Sequence, residues 1–157
     1  MKSKNIIRLI ISIAIPLAVG GISGYATSSN ISSWYAYLNK SSFNPPNYLF
    51  GPVWTVLYLL MGVSLYLVWT SPEGKQKTTA LLVFTFQLLL NFAWSFIFFY
   101  FHETGLALVE IIVLWMSILL MIVLFFRINR TAAYLQIPYF LWVSFATVLN
   151  ASIWHLN

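Results

Sequence analysis

An all-α membrane protein, with five transmembrane helices in a single bundle, is the fold class this sequence predicts, and three observations carry the prediction. Of the 157 residues, 61% are apolar and only 7% are Asp, Glu, Lys or Arg, with a mean hydropathy of +0.84. A soluble domain carries about 25% charged residues, and eleven charged side chains cannot coat a globule of this size. The apolar residues fall into five runs, each near the roughly 20 residues that cross a bilayer. The apolar and aromatic content also excludes disorder. Residues 1–157 are therefore read as one transmembrane domain.

The first helix is expected over 6–27, opened by Lys2, Lys4 and Arg8. No clear small-x-small cleavage site precedes a soluble remainder, so the run is read as a span and not as a signal peptide. Pro16, Gly20 and Gly24 lie four apart with Gly21 beside them, a smooth strip that suits either packing inside the bundle or a homodimer contact. Residues 28–44 form the only long polar connection, yet hold Trp34, Tyr35, Tyr37 and Phe43. A passive linker does not need four aromatics, so an external, lid-like loop is expected there.

The second helix is expected over 45–69, with Asn44 as its cap and Pro45 in the first turn, where a missing N–H costs little. Gly51-Pro52 is expected to bend or loosen it. The third, 76–100, carries Gln87, Asn91 and Ser95 at successive spacings of four, with Phe99 at the next. Three polar groups on one face are poorly placed against lipid. They serve interhelical hydrogen bonds, the polar side of a ligand pocket, or both. The fourth helix, 105–126, follows the turn at His102-Glu103-Thr104. The fifth, 131–154, follows Arg127 to Arg130, and Pro138 interrupts its early ladder.

Five spans put the two ends of the chain on opposite sides. The side of the N terminus receives Lys2, Lys4, Arg8, Lys75, Lys77, Arg127 and Arg130, against Lys40 alone on the other. The positive-inside bias then places the N terminus in the cytoplasm and the 28–44 loop and C terminus outside, in a bacterial plasma membrane. The net charge of +5 points to orientation and anionic membrane lipid; no basic run is dense enough for nucleic acid.

The absence of Cys excludes disulfides and thiolate chemistry. Glu110 lies within the fourth helix and either snorkels to the interface, accepts a hydrogen bond, or acts as a proton site. His102 beside Glu103 lacks a third spaced ligand, so no metal is expected. The positive observation is aromatic, at 18% of the chain. Trp34, Trp69 and Trp154 suit interfacial belts, whereas Trp54, Trp94, Trp115 and Trp142 are expected deeper. Trp54 and Tyr58 lie four apart, and Trp142 shares a face with Pro138 and Ala146. Such rings serve either core packing or, with Gln87 and Asn91, a cavity for a flat, largely apolar ligand with polar edges.

Three motifs, NPPNYLFGPVWTVLYLLMGVSLYLVW at 44–69, QLLLNFAWSFIFF at 87–99 and PYFLWVSFATVLN at 138–150, closely resemble the tryptophan-rich sensory protein and translocator protein family (TspO/MBR), once called the peripheral-type benzodiazepine receptor. The resemblance spans nearly the whole chain, and the short termini suit a bacterial member. It implies a five-helix bundle, commonly a homodimer, with a cavity beneath the first loop. It further implies binding of porphyrins, including protoporphyrin IX, and of isoquinoline carboxamide or benzodiazepine-type ligands.

By matched motif, Trp54 and Trp142 look like the tryptophans associated with porphyrin degradation, and so are the expected catalytic pair. Gln87 and Asn91 look like polar pocket residues, Trp34 and Tyr35 like the aromatic pair of the covering loop, and Pro45 and Pro46 like the paired prolines before the second helix. Tyr58, Ala146 and Leu149 complete the expected ligand set. Cholesterol is a poor candidate, because VLNASIWHLN lacks the Tyr and basic residue of the pattern ascribed to mitochondrial relatives. The expected function is binding of a tetrapyrrole with light- and oxygen-dependent degradation, with no resident cofactor required. The alternatives are a tetrapyrrole transporter or exporter and a ligand-responsive membrane sensor.

Overall fold

Five stretches are helical over lengths that cross a bilayer in the computed structural model, which describes residues 3–157. They are α1 (Ser3–Ile31), α2 (Phe50–Trp69), α3 (Lys75–Ser95) with a π-helical continuation over Phe96–Tyr100, α4 (Thr104–Ile128), and a broken fifth span made of α5 (Arg130–Tyr134) and α6 (Ile137–Leu156). The protein is an all-α, multi-pass membrane bundle. Lys2, one of the basic residues that set the expected orientation, lies outside the described residues.

Several helix ends differ from the sequence expectation, each for a local reason. α1 runs on to Ile31 through residues expected to be loop, whose polar side chains find acceptors within the helix itself: Thr27 Oγ1 donates to Ser23 O at 3.0 Å and Asn30 Nδ2 to Ala26 O at 3.0 Å. Asn44 does not cap α2. Its Oδ1 accepts from the Tyr35 hydroxyl at 2.9 Å, and a 3₁₀ turn over Asn47–Leu49 leads into the helix. Gly51-Pro52 does not bend α2, since the helix begins at Phe50 and Pro52 falls among the first-turn positions that have no intrahelical acceptor. The fifth span breaks at Leu135-Gln136, ahead of Pro138, which sits in the first turn of α6. Asn129 caps α5 by accepting from Ala132 N at 3.0 Å.

α1 packs along α2, α3 along α4, and α4 along α6. The closest crossing is at Gly62, where an added Cβ would stand 2.6 Å from Ile13 Cα and 2.9 Å from Ser12 O. Only glycine lets the two backbones approach so far. At the end of the bundle that carries the α2–α3 turn, Arg8 lies 5.7 Å over the Trp69 ring, and Lys77 Nζ pairs with Glu73 at 2.7 Å. The opposite end, here the loop end, carries residues 32–46, the His102 turn and the C terminus.

An aromatic cavity at the loop end

Between α1, α2, α3 and α6, beneath the first loop, lies a cavity of about 500 Å³. That volume is within the range of ligand pockets, roughly 300–1,000 Å³. None of its lining residues carries a formal charge. α2 contributes Trp54 and Tyr58, whose rings stack at 5.4 Å; one helical turn separates them, so both side chains leave the same face. α6 contributes Trp142, Ala146 and Leu149 by the same spacing rule. Trp142 meets Phe50 edge-on at 6.1 Å and also lines a shallow apolar groove on the outside of the α2–α6 seam.

The third wall is built by a feature the sequence did not announce. After Ser95 the helix widens to π geometry, with Phe101 N donating to Phe96 O at 2.9 Å, and Phe98 and Phe99 line the cavity. Such π segments occur often at functional sites. Phe98 stacks on Trp94 at 5.1 Å, and Trp94 Nε1 donates to Asn150 Oδ1 at 3.1 Å. Asn150 Nδ2 in turn donates to Thr104 O at 2.8 Å, tying α6 to the start of α4.

The first loop reaches the cavity through Tyr35, which is 3% exposed and rests on Phe98 and Phe99. Lys40, the lone base expected at this end, wraps round it: Nζ donates to Tyr35 O at 2.7 Å and lies 4.8 Å over the Tyr35 ring. Burial raises the Tyr35 pKa above its ordinary value of 10.0, against a smaller opposing effect of the hydrogen bond to Asn44. Asn39 is pinned to the chain end, its N–H donating to Asn157 Oδ1 at 3.0 Å and its carbonyl accepting from Asn157 Nδ2 at 3.0 Å.

The expected ligand residues thus divide. Tyr35, Trp54, Tyr58, Trp142, Ala146 and Leu149 line the cavity. Trp34, Pro45 and Pro46 do not; Trp34 stacks on His102 at 4.2 Å, outside the lining, and the two prolines lead the chain toward α2. Gln87 and Asn91 are also absent from the lining, and of their two expected uses the structure displays the interhelical hydrogen bonds. Their face points inward but meets tyrosines. Tyr58 hydroxyl donates to Asn91 Oδ1 at 2.5 Å, Asn91 Nδ2 to Tyr139 Oη at 3.0 Å, and Tyr139 hydroxyl to Gln87 Oε1 at 2.9 Å. Gln87 is wholly buried and Asn91 3% exposed, so this network joins α2, α3 and α6 under the cavity floor.

α1 supplies what the sequence reading left out. Gly20, Ser23, Gly24 and Thr27 line the cavity; a Cβ on Gly20 would strike the Tyr58 ring, and Ser23 Oγ is buried without a partner among the described residues. Within one chain the glycine strip therefore serves the cavity and the α1–α2 contact. Trp115, expected deep, is a packing residue: it meets Phe140 at 5.0 Å and its Nε1 donates to Ser144 Oγ at 2.8 Å.

The sequence profile described as the TspO/MBR family matches residues 12–155. Among similar proteins, the tryptophan-rich protein TspO of Archaeoglobus fulgidus is 40% identical over 153 residues, covering 98% of this chain and 99% of the relative. The protein of the same name from Chlorobaculum tepidum is 39% identical over 156 residues, covering 99% of each. The human translocator protein is 39% identical over 126 residues, covering 79% of this chain and 75% of its own. Helices, motifs and matched length agree, and the chain belongs to the TspO/MBR family.

Proposed function

We propose that the cavity binds a tetrapyrrole, with protoporphyrin IX as the representative ligand, and promotes its light-driven oxidative degradation. The observation that carries this reading is the pairing of Trp54 and Trp142 on separate walls of one uncharged cavity of about 500 Å³. An excited porphyrin supplies the driving chemistry and molecular oxygen is the oxidant; the protein's part is to hold the ring and set oxidisable indoles against it. Ser23, Ser95 and Asn150 offer the polar contacts, a role that Gln87 and Asn91 can fill only through Tyr58. Tyr35, held by Lys40 and Asn44, acts as the lid side chain that limits escape of intermediates. Isoquinoline carboxamide or benzodiazepine-type compounds would compete for the same cavity.

The protein is purified in lipid and loaded with protoporphyrin IX, then kept dark or illuminated, with and without oxygen, while the porphyrin spectrum and product mass are followed. Trp54→Phe and Trp142→Phe keep an aromatic wall but change its redox chemistry. At matched occupancy and absorbed light, each should slow degradation more than it weakens binding. Wild-type rates and products from both single variants and the double variant would remove the tryptophan-assisted mechanism.

A second reading, passage of the ligand across or out of the membrane, has one observation in its favour: Trp142 alone is shared by the cavity and the outer groove of the α2–α6 seam. Flux in proteoliposomes separates it from degradation. For orientation, the basic residues near the α2–α3 turn favour a cytoplasmic N terminus and an external first loop in a bacterial plasma membrane. In intact cells an impermeant thiol reagent should then label Ser41→Cys and spare Lys4→Cys. A homodimer is proposed as well.

A further inference from the structure

Glu110 is the one side-chain carboxylate inside a span; Glu73 and Glu103 lie in turns. It sits six residues past Thr104, which places it about 9 Å along α4 from the helix start. Both of its oxygens are shielded from solvent and neither accepts a hydrogen bond among the described residues. Nothing in the proposed degradation chemistry uses it.

The network under the cavity floor has a direction, with amide orientations assigned from the hydrogen bonds themselves. It starts at Tyr58, whose ring lines the cavity, and passes through Asn91 and Tyr139 to Gln87, each group donating to the next. The last donor, Gln87 Nε2, is buried and has no acceptor among the described residues. α4, which carries Glu110, packs against both α3 and α6, the helices of Gln87 and Tyr139. A run of donors that ends on a free buried N–H requires an acceptor, since an unmade hydrogen bond there is costly. Glu110, on the helix packed against α3, has two free buried oxygens.

We propose that Glu110 is a proton-binding site that terminates this network, so that its charge is felt by a ligand in the cavity. The two groups are not bonded in the structure; side-chain rotation that brings them together would let the carboxylate accept from Gln87 and place a negative charge at the end of a line of aligned dipoles. As an acid it still accepts through its carbonyl oxygen, and the charge is gone. Among the described residues no cation pairs with Glu110. α4 packs against α3, the π segment, α5 and α6. On these, Lys75, Lys77 and Arg130 lie toward the opposite end of the bundle, Tyr100, Tyr134 and His155 are exposed, and Tyr139 is the buried titratable group. On α4 itself Arg127 is at the far end, and Glu103 and His102 precede the helix in exposed positions. In a low-dielectric bundle, an unscreened charge repels an anionic ligand group and leaves a neutral one indifferent.

The coupling to a ligand rests on the tetrapyrrole reading; the proton site does not, and two measurements keep them apart. The full chain in lipid, without ligand, is titrated from about pH 5 to about pH 9 and followed by infrared spectroscopy. Wild type minus Glu110→Gln should show a carboxylic-acid C=O band that fades toward alkaline pH. Gln87→Leu keeps the carboxyl while removing its donor, and should move that band to higher frequency, which gives a second test if Glu110→Gln does not fold. A band that is missing, or unchanged by pH, overturns the proton site. Protoporphyrin IX and its dimethyl ester are then titrated over the same range. The affinity of the diacid relative to the ester should fall roughly threefold to tenfold more in wild type than in Glu110→Gln. Equal falls overturn the coupling. Failure of either porphyrin to bind at any pH removes the tetrapyrrole reading and leaves the infrared result to decide the proton site.

Discussion

Asn91→Leu is the substitution that most sharply separates a floor residue from a wall residue. Leu keeps the branched shape of Asn, though its methyl groups are bulkier, and it suits an apolar bundle, so loss of hydrogen bonding is the main change. Two bonds vanish, the 2.5 Å bond from Tyr58 and the 3.0 Å bond to Tyr139. Their losses are unequal. Tyr139 keeps its bond to Gln87 at 2.9 Å, whereas Tyr58, buried at 6% exposure, is left without its acceptor. Interhelical side-chain bonds in membranes contribute about 0.6 kcal/mol on average and up to about 1.7. Stranding a buried hydroxyl adds about 1–3 kcal/mol. Allowing for the apolar gain of Leu, the expected cost is about 2 kcal/mol, measured as reversible unfolding in bicelles. Tyr58→Phe removes the hydroxyl that would be stranded, so on that background Asn91→Leu should cost at least 1 kcal/mol less, by order of magnitude. Wild-type stability for Asn91→Leu, or additive losses in the double variant, would refute the network as a source of stability. A large loss of ligand affinity that persists on the Tyr58→Phe background would return Asn91 to the cavity wall.

Two further substitutions test the α1–α2 contact and the loop. Gly62→Ala forces a Cβ against the Ile13 backbone, so overpacking of about 1–3 kcal/mol should exceed the helix-propensity gain of about 1 kcal/mol; Gly21→Ala, with nothing within 4 Å of its added Cβ, should leave the melting temperature unchanged or raise it slightly. The raised Tyr35 pKa means that the folded loop favours the neutral phenol. Its contribution is fully present below about pH 10 and is lost as pH rises through the folded value. Resistance of the first loop to proteolysis should therefore fall at alkaline pH in wild type, and Tyr35→Phe, already lacking the bond to Asn44, should fall less steeply. Identical profiles would detach loop stability from Tyr35.

The spans were legible because a bilayer imposes one length and one polarity on every helix, and charges such as Glu73, Lys75, Arg127 and Arg130 mark where the runs stop. The aromatic wall was legible for the same geometric reason: Trp54 with Tyr58, and Trp142 with Ala146, keep a spacing that fixes a shared face. The π segment was not. Its residues, Phe96 to Tyr100, are apolar and aromatic throughout, so a helix of either pitch would read alike, and no Pro or Gly marks the change. Ser23 escaped notice because a lone Ser between glycines carries no periodicity.

Gln87 and Asn91 show where spacing stops being informative. A period of four tells which way a side chain points, and not whether a hole or a partner lies opposite. The deciding residue was Tyr139, on α6 and 48 residues beyond Asn91, with a hydroxyl that reads in the sequence as one more aromatic of the PYFLWV motif. Had a Phe stood there, Asn91 Nδ2 would lack its acceptor and Gln87 Oε1 its donor, and the same two amides would have had reason to turn toward the cavity. The Tyr139 hydroxyl thus decides whether α3 presents its polar face to a ligand or to the bundle. Tyr139→Phe is its direct probe: it should destabilise the fold while making cavity affinity more sensitive to Asn91→Leu. If affinity responds to Asn91→Leu equally in both backgrounds, Tyr139 does not control where Asn91 points.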